Sequence, residues 1–304
     1  AYNHNGRHMH PNYWRDDPTP IEIDAWSAKH ETDIALNFIR KRRKDRPFAL
    51  FVSWNPPHPP FRMLPENYRA LYRNRKPSEL LNRPNVDFST NKYLARNASD
   101  YFGAIKGLDD NLARLLKCLC DEGIDKDTVV VLTSDHGEML GSHGLMGKTV
   151  WYEESIGIPF VVRWPGHVKK GRDDLLFNVF DFMPTLLGLI GIAVPETVEG
   201  TDYSSILRGR DQTRPESTLL CGYLTRDPKA AQEFGWRGIR TSRYTYVVRF
   251  GRPKQQRLLY DNQADPYQMK PVRAGLAPEG ALMKQLEAQL QAWLNRAHDA
   301  YPLS

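Results

Sequence analysis

Apolar residues along the first two thirds of the chain follow two spacings. In residues 24–43 and 93–122 they recur every three to four positions, which predicts amphipathic helices. Residues 48–54, 129–132 and 159–164 are continuous apolar runs of strand length, and a run of this kind is typical of a strand covered on both faces. Strands that alternate with helices predict an α/β domain in which helices cover both faces of a mostly parallel sheet.

The pattern changes toward the C-terminus. Residues 175–190 predict a helix with a kink or a new start at Pro184, and residues 207–215 are a Gly- and Arg-rich linker. Short strand candidates and a final amphipathic helix follow, at 218–223, 236–241, 244–250, 257–260 and about 280–297. Successive strands followed by one helix predict a small antiparallel α+β subdomain. We therefore expect an α/β core over residues 1–208 and this subdomain over residues 209–304.

Composition and charge narrow the classes of partner. The 304 residues carry a formal charge of +6, but Lys and Arg are scattered, and their longest run, at 40–44, ends a predicted helix where cations favour the helix dipole. We therefore expect no nucleic-acid partner, although a positive field would attract anionic substrates. No apolar run reaches the length of a membrane span, so no membrane partner is expected, and no charged-then-apolar leader opens the chain.

The three cysteines predict neither a complete disulfide set nor a zinc site. Cys118 and Cys120 lie two positions apart on a helical pattern and point to different faces, and Cys221 is remote in sequence. We expect all of these thiols to pack in the core.

Candidate chemistry follows the apolar run at 129–132. Asp135 and His136 come at the end of this predicted strand, where open α/β sheets carry their active sites. They are either a metal-binding pair or a helix-capping Asp beside a buried His. The next residue, Gly137, can adopt backbone conformations that other residues resist.

Three further side chains are candidates, each with a structural alternative. His143 faces a substrate or satisfies its own Gly-rich loop, and Lys148 binds an anion or is a solvated surface Lys. His58 stands in the loop NPPHPPF, whose prolines exclude ladder pairing, and it either acts on a substrate or packs against aromatic rings.

Several segments, in order along residues 24–269, resemble the sulfatase family of the alkaline phosphatase superfamily. These segments are FVSWNPPHPPF, YFGAIKGLDDNLARLL, TSDHGEMLGSHGLMGK, WYEESIGIPFVVRWPG, FDFMPTLLGLIGI, VEGTDYSSIL, RGIRTSRYTYV and LYDNQADPYQM. The resemblance implies an alkaline phosphatase-like three-layer α/β/α sandwich with a small C-terminal antiparallel subdomain, and it implies hydrolysis of a sulfate monoester.

The resemblance also implies roles for the candidate side chains. Asp135 and His136 match metal-site residues, with calcium favoured and magnesium or manganese left open by the imidazole ligand. Lys148 matches the Lys that binds the sulfate and bridges toward the leaving oxygen. His58 matches the His that donates a hydrogen bond or proton to the leaving alcohol. His143 is expected with Lys148 and His58 among the substrate-binding residues.

Two family elements are absent from the sequence. Sulfatases carry a C-x-P-x-R or S-x-P-x-R segment whose Cys or Ser becomes formylglycine, the nucleophile, and an early strand that ends in paired acidic ligands; neither occurs here. Asp16 with Asp17 and Asp109 with Asp110 stand in the wrong contexts to replace that pair. We therefore expect a chain equivalent to the C-terminal two thirds of a sulfatase, inactive alone. The alternatives are a phosphonate or phosphate ester hydrolase of the same superfamily and a non-catalytic binding protein that retains the fold.

The expected substrate is a small-molecule or carbohydrate sulfate ester. An N-terminal arm either lines a sugar-sulfate cleft or packs on the surface. Its aromatic and basic members are Tyr2, His4, His8, His10, Tyr13 and Trp14. By resemblance, the protein would work in the periplasm or outside the cell, or in lysosomes if it is eukaryotic.

Overall fold

The computed structural model describes residues 7–89, 92–222, 235–249, 255–272, 277–301 and 303. The chain folds into two compact units. The first contains the chain up to Val130 together with Leu140–Gly144, and the second contains Val131–Met139 and the chain from Leu145 onward. The predicted domain boundary near residue 208 stays a prediction.

The first unit is mainly helical. A short antiparallel hairpin of β1 (Asn12–Tyr13) and β2 (Ile21–Glu22) precedes the helices α1, α2, α3 and α4. These helices are Ser27–Lys41, Glu66–Tyr72, Pro77–Leu80 and Lys92–Asp121. The two long helices therefore confirm the predictions for residues 24–43 and 93–122.

The core between α1 and α4 is small and apolar. Leu36 and Ile39 of α1 pack against Cys118 and Leu119 of α4. Gly107 of α4 lies under the Trp26 ring, where an added Cβ would come within 2.7 Å of the indole. Apolar burial and this close approach together fix the two helices against each other.

The strand predicted at residues 48–54 is wrong. This segment forms no strand with any part of the chain that the structure describes. Phe51 is 86% exposed and Leu50 is also exposed, so these two apolar side chains have no covering layer among the described residues. A hydrophobic sequence forms a strand only where a partner accepts its backbone hydrogen bonds.

The remaining α/β part contains two paired strands and three helices. Strands β3 (Val130–Thr133) and β4 (Phe160–Arg163) form a two-stranded sheet. The helices α5, α6 and α7 are Glu153–Ile156, Val179–Leu189 and Ser204–Leu207. Both strands fall where the sequence predicted them, but β3 is half-buried rather than fully covered, because the described residues give it only one neighbouring strand.

Helix α6 does not restart at Pro184. It begins after Asn178, whose side chain accepts a hydrogen bond from the Val179 N–H at 2.7 Å, while the Asp181 carboxylate accepts one from the Asn178 N–H at 3.1 Å. This reciprocal capping box satisfies donors that the first turn leaves open, so it fixes the helix start. Pro184 lies buried inside the helix.

The C-terminal part is an antiparallel sheet covered by one helix, as predicted. The sheet order is β5-β6-β7-β8, with antiparallel register between all neighbours. The strands are Ser217–Gly222, Trp236–Thr241, Tyr244–Arg249 and Gln256–Asp261. Helix α8 (Ala277–Arg296) packs on them, and Leu290 and Leu294 are completely buried against Ile239, Tyr246 and Leu259. Tyr223 and Phe250, at two predicted strand ends, lie outside the described residues.

The prediction for the thiols holds only in part. Cys118 is buried between α1 and α4, whereas Cys120 and Cys221 are exposed, because neither of these two side chains belongs to an apolar cluster of the described residues. All are free thiols. Among the described residues, no helix is long and apolar enough to cross a membrane.

Candidate active site

Asp135 and His136 are brought together just beyond β3. Asp135 Oδ2 lies 3.4 Å from His136 Nε2, and Asp135 Oδ1 accepts a hydrogen bond from the His136 N–H at 3.0 Å. The Asp135 side chain is 85% exposed and that of His136 is 32% exposed. Residues 136–152 are all described and no helix begins among them, so Asp135 is not a helix cap. This leaves an exposed carboxylate beside an imidazole.

The His136 ring is oriented by its own backbone. Its Nδ1 lies 2.7 Å from the Gly137 carbonyl oxygen, which can only accept a hydrogen bond, so Nδ1 carries the proton of the neutral ring. Nε2 then holds a lone pair, and this lone pair and Asp135 Oδ2 are available to the same cation. The two donors fit a divalent ion as part of its shell, and the described residues contain no cluster of three or more His, Cys, Asp or Glu side chains that could complete it.

Gly137 is required by close approach rather than by an unusual backbone angle. Its φ is not in the left-handed region, contrary to the sequence expectation. An added Cβ would lie 2.0 Å from the Glu154 carbonyl oxygen, and the Gly137 N–H donates to the Ser155 carbonyl at 2.9 Å. The turn after His136 is therefore pressed against the start of α5, which holds the Asp135–His136 pair in place.

Lys148 stands at the end of a loop with strained backbone. The Glu138 carboxylate accepts from the Gly147 N–H at 2.5 Å, and the Met139 N–H donates to the Gly147 carbonyl at 2.8 Å, which closes the loop on itself. Thr149 has a φ of 76°, a conformation that a β-branched residue rarely adopts. Within the described part of the chain, no carboxylate pairs with the half-buried Lys148 side chain. Its ammonium group is therefore available to an anion.

The C-terminal sheet holds this strained loop end. The indole Nε1 of Trp236, in β6, donates to the Thr149 carbonyl at 2.9 Å, and the Trp151 ring packs edge-on against Trp236 at 5.9 Å. Trp236 is itself seated against Gly222 of β5, where a Cβ would lie 2.1 Å from Nε1. Strain of this kind persists only where surrounding structure over-determines it. No motif in the sequence indicated this role for Trp236.

The first unit contains His58 and His143. His58 lies half-buried in its Pro-rich loop, and its Nδ1 is 2.7 Å from the Pro59 carbonyl oxygen. His143, with φ 54°, lies 3.1 Å through Nε2 from the Asn85 side-chain nitrogen, and its N–H donates to the Asn85 carbonyl at 2.7 Å. These contacts satisfy the loop around His143, and a role for His143 in substrate binding stays a prediction.

The N-terminal arm packs on its own unit. His8 is buried, the Tyr13 ring contacts the His30 ring at 5.5 Å, and Trp14 Nε1 donates to the Pro18 carbonyl at 3.0 Å. Tyr2 and His4 lie outside the described residues. A sugar-binding role for the arm stays a prediction.

The fold and the residue pattern define a protein of the alkaline phosphatase superfamily. The family model for sulfatases matches residues 4–192, and the model for the C-terminal region of N-sulphoglucosamine sulphohydrolase matches residues 141–297. The chain belongs to the sulfatase family.

Relatives agree with this membership. An endo-4-O-sulfatase of Bacteroides thetaiotaomicron is 33% identical over 97% of this chain and 61% of its own length. An ulvan-active sulfatase of Formosa agariphila is 32% identical over 96% of this chain and 56% of its own. A solved Bacteroides thetaiotaomicron structure, from work on the metabolism of multiple glycosaminoglycans, superposes with a TM-score of 0.89 at 31% identity, over 99% of this chain and 66% of that one. The chain thus spans less than two thirds of the length of these relatives.

Proposed function

We propose that the complete protein hydrolyses a carbohydrate sulfate monoester. The observation that carries this proposal is the Asp135–His136 pair, whose oxygen and nitrogen donors lie 3.4 Å apart beyond β3. Lys148 follows in the same compact unit and supports the proposal, because this half-buried residue has no carboxylate partner among the described residues. The names of the relatives, which include an endo-4-O-sulfatase and an ulvan-active sulfatase, support a sugar sulfate as the substrate class. Such a substrate also supports action in the periplasm or outside the cell.

Each site residue has a role in this proposal. Asp135 and His136 hold a divalent cation, with calcium favoured by the carboxylate. When bound, that cation would draw charge from a sulfate oxygen and lower the pKa of the hydroxyl that attacks sulfur. Lys148 binds the sulfate and offsets negative charge on the leaving oxygen. His58 donates a proton or hydrogen bond from Nε2 to the leaving alcohol as the imidazolium, because its Nδ1–H is bonded to the Pro59 carbonyl, and His143 contributes to substrate binding.

We infer that the nucleophile and the remaining metal ligands belong to sequence outside this chain. The sequence has no C-x-P-x-R or S-x-P-x-R segment, and the relatives are longer than the chain. Two donors form only part of a calcium shell, which takes about six to eight oxygen ligands. This chain alone should therefore be inactive.

The first experiment compares esters of one alcohol on the complete protein. Aryl sulfate, phosphate and phosphonate esters are assayed with calcium, after chelation, and after calcium is restored. We expect the sulfate ester to be the preferred substrate, with turnover lost on chelation and regained with calcium. Preference for the phosphonate or phosphate ester would overturn the assignment to sulfate, and turnover that survives chelation would overturn the metal.

The second experiment tests incompleteness on the chain itself. Calorimetric titration of the 304-residue chain with calcium should show weak binding or none, because only Asp135 and His136 contribute ligands. Tight binding that Asp135→Ala removes would mean that the chain completes the site by itself.

A further inference from the structure

His8 is a buried histidine at the junction of the N-terminal arm and α1. Only 3% of the residue is exposed. The Ser27 N–H, at the first residue of α1, donates to the His8 carbonyl at 2.8 Å, and Met9 forms an antiparallel bridge with Trp26. The backbone of His8 is therefore fixed by the start of a long helix, which gives its imidazole a defined position.

The imidazole of His8 contacts the backbone of His58. His8 Nε2 lies 2.7 Å from the His58 carbonyl oxygen. A carbonyl oxygen can only accept a hydrogen bond, so His8 Nε2 carries the proton and donates it. Burial lowers the pKa of His8, although the hydrogen bond to the His58 carbonyl opposes this shift, and the lowered pKa favours the neutral ring.

The loop around His58 has few backbone hydrogen bonds of its own to hold its conformation. Proline at positions 56, 57, 59 and 60 removes the backbone N–H groups on both sides of His58. The His58 N–H donates to the Asn55 carbonyl at 3.1 Å, and the His58 ring donates through Nδ1 to the Pro59 carbonyl at 2.7 Å. The ring is thus tied to the carbonyl of the next residue, while the carbonyl of His58 itself is tied to His8. A rotation of the His58 peptide plane would disturb both bonds.

We propose that His8 is a positioning residue for His58: its buried Nε2–H anchors the His58 carbonyl and so fixes the direction in which the His58 ring presents Nε2. This inference rests on the proposed function, because His58 is the residue proposed to act on the leaving alcohol. His8 itself touches no substrate. Its contribution is the orientation of a neighbouring ring.

The kinetic test separates orientation from general stability by varying the leaving group. In the complete enzyme, His8→Phe keeps a ring but removes the donor, whereas His8→Gln keeps an N–H that reaches the carbonyl. We expect His8→Phe to lower kcat about 10-fold for an alkyl or sugar sulfate, which needs help from an acid, and less than about twofold for 4-nitrophenyl sulfate, which does not. His8→Gln should restore most of the loss.

The matched control is His298→Asn, at an exposed position after helix α8 and outside the arm. His298 has a φ of 50°, which Asn tolerates. This variant should leave both substrates unaffected. An equal loss on both sulfates in His8→Phe, or no loss on either, would overturn the positioning role.

A spectroscopic test keeps the inference separate from the proposed function. In the 304-residue chain, ¹⁵N-histidine spectra should show the neutral His58 ring as the Nδ1–H tautomer, a mixture of tautomers in His8→Phe, and the wild-type pattern in His8→Gln. If the complete enzyme proves inactive on sulfate esters while these spectra change as expected, the proposed function fails and the contact stands. An unchanged His58 spectrum in His8→Phe would overturn the contact.

Discussion

In the C-terminal sheet, each strand pairs with its neighbour and helix α8 closes one face. A charged side chain is also buried there. Arg237 is 1% exposed, its Nε lies 2.5 Å from Asp299 Oδ2, and its guanidinium carbon lies 4.6 Å from the centre of the Tyr301 ring. The segment after β3 differs at every point. Its strand has one described neighbour, Asp135 is 85% exposed, and Thr149 has a strained backbone.

The difference separates the part of this unit that supplies stability from the part that supplies chemistry. Groups that bind a cation or an anion must keep lone pairs or hydrogen-bond donors free for the ion. A closed core does not allow this, because its buried polar groups are hydrogen-bonded within the protein. The hydrogen bond from Trp236 to the Thr149 carbonyl joins the two regions. We infer that the closed sheet holds the open segment in a conformation that it would not keep alone.

The largest effect should come from the closed region. Asp299→Asn leaves the Arg237 guanidinium buried without a countercharge, so we expect a loss of about 3 to 5 kcal/mol in the free energy of unfolding. Asp173→Asn is the matched control, because it breaks an exposed pair with Arg214 and should cost less than about 1 kcal/mol. Urea unfolding of the chain measures both. Equal costs would mean that the C-terminal region is not closed around its charge.

A second prediction sharpens the comparison at a buried carboxyl in the first unit. Glu31 is 9% exposed, and its Oε2 has no hydrogen-bond partner among the described residues. Burial raises the pKa of Glu31 from 4.5 to about 7. The folded state therefore holds a proton that the unfolded state releases, so the stability contributed by Glu31 is present below about pH 4.5 and is lost as pH rises through 7.

Glu31→Gln removes this titration without changing the shape of the side chain. The stability of the variant relative to the wild type should rise by about 3 kcal/mol or less between pH 4.5 and pH 8. Denaturant unfolding across this range measures the difference. A difference that does not vary with pH would show that Glu31 is ionised, and therefore solvated, in the folded protein.

A third prediction tests the connection between the two regions. Trp236→Phe keeps a buried ring but removes the donor to the Thr149 carbonyl, so it should cost about 1 to 2 kcal/mol in stability. Trp293→Phe removes a comparable bond, from the Trp293 indole to Ser217 at 3.1 Å, away from the loop. In the complete enzyme, only Trp236→Phe should also raise the KM for the sulfate ester. A similar rise in KM in both variants would contradict the inference that Trp236, by holding Thr149, positions the neighbouring Lys148.

Much of the fold follows from local pattern. The amphipathic spacing of α1 and α4 and the short strand candidates of the C-terminal part predicted these elements within a few residues. The apolar run at residues 48–54 also predicted a strand, but none forms there, because a strand depends on a pairing partner that no local pattern specifies. The apolar pattern predicted a helix from residue 175 with a kink or a new start at Pro184, whereas the capping box of Asn178 and Asp181 begins α6 at Val179.

The residues of the candidate site also separate into those that local motifs predicted and those that they did not. Asp135, His136, Lys148 and His58 were singled out from motifs and family resemblance. His8, Asn85 and Trp236 were not predicted as supporting residues, because they act through contacts between segments that are distant in sequence. Contacts between distant segments produce no recognisable spacing of residues in the sequence.

The central claim is that Asp135 and Lys148 provide chemistry rather than stability. The most direct test measures kcat/KM for a sulfate ester and the free energy of unfolding together, in the complete enzyme and in its Asp135→Ala and Lys148→Met variants. We predict that each variant loses at least about 100-fold in kcat/KM, while its stability changes by less than about 0.5 kcal/mol. Full turnover in both variants, or a loss of turnover that only follows unfolding, would contradict the account.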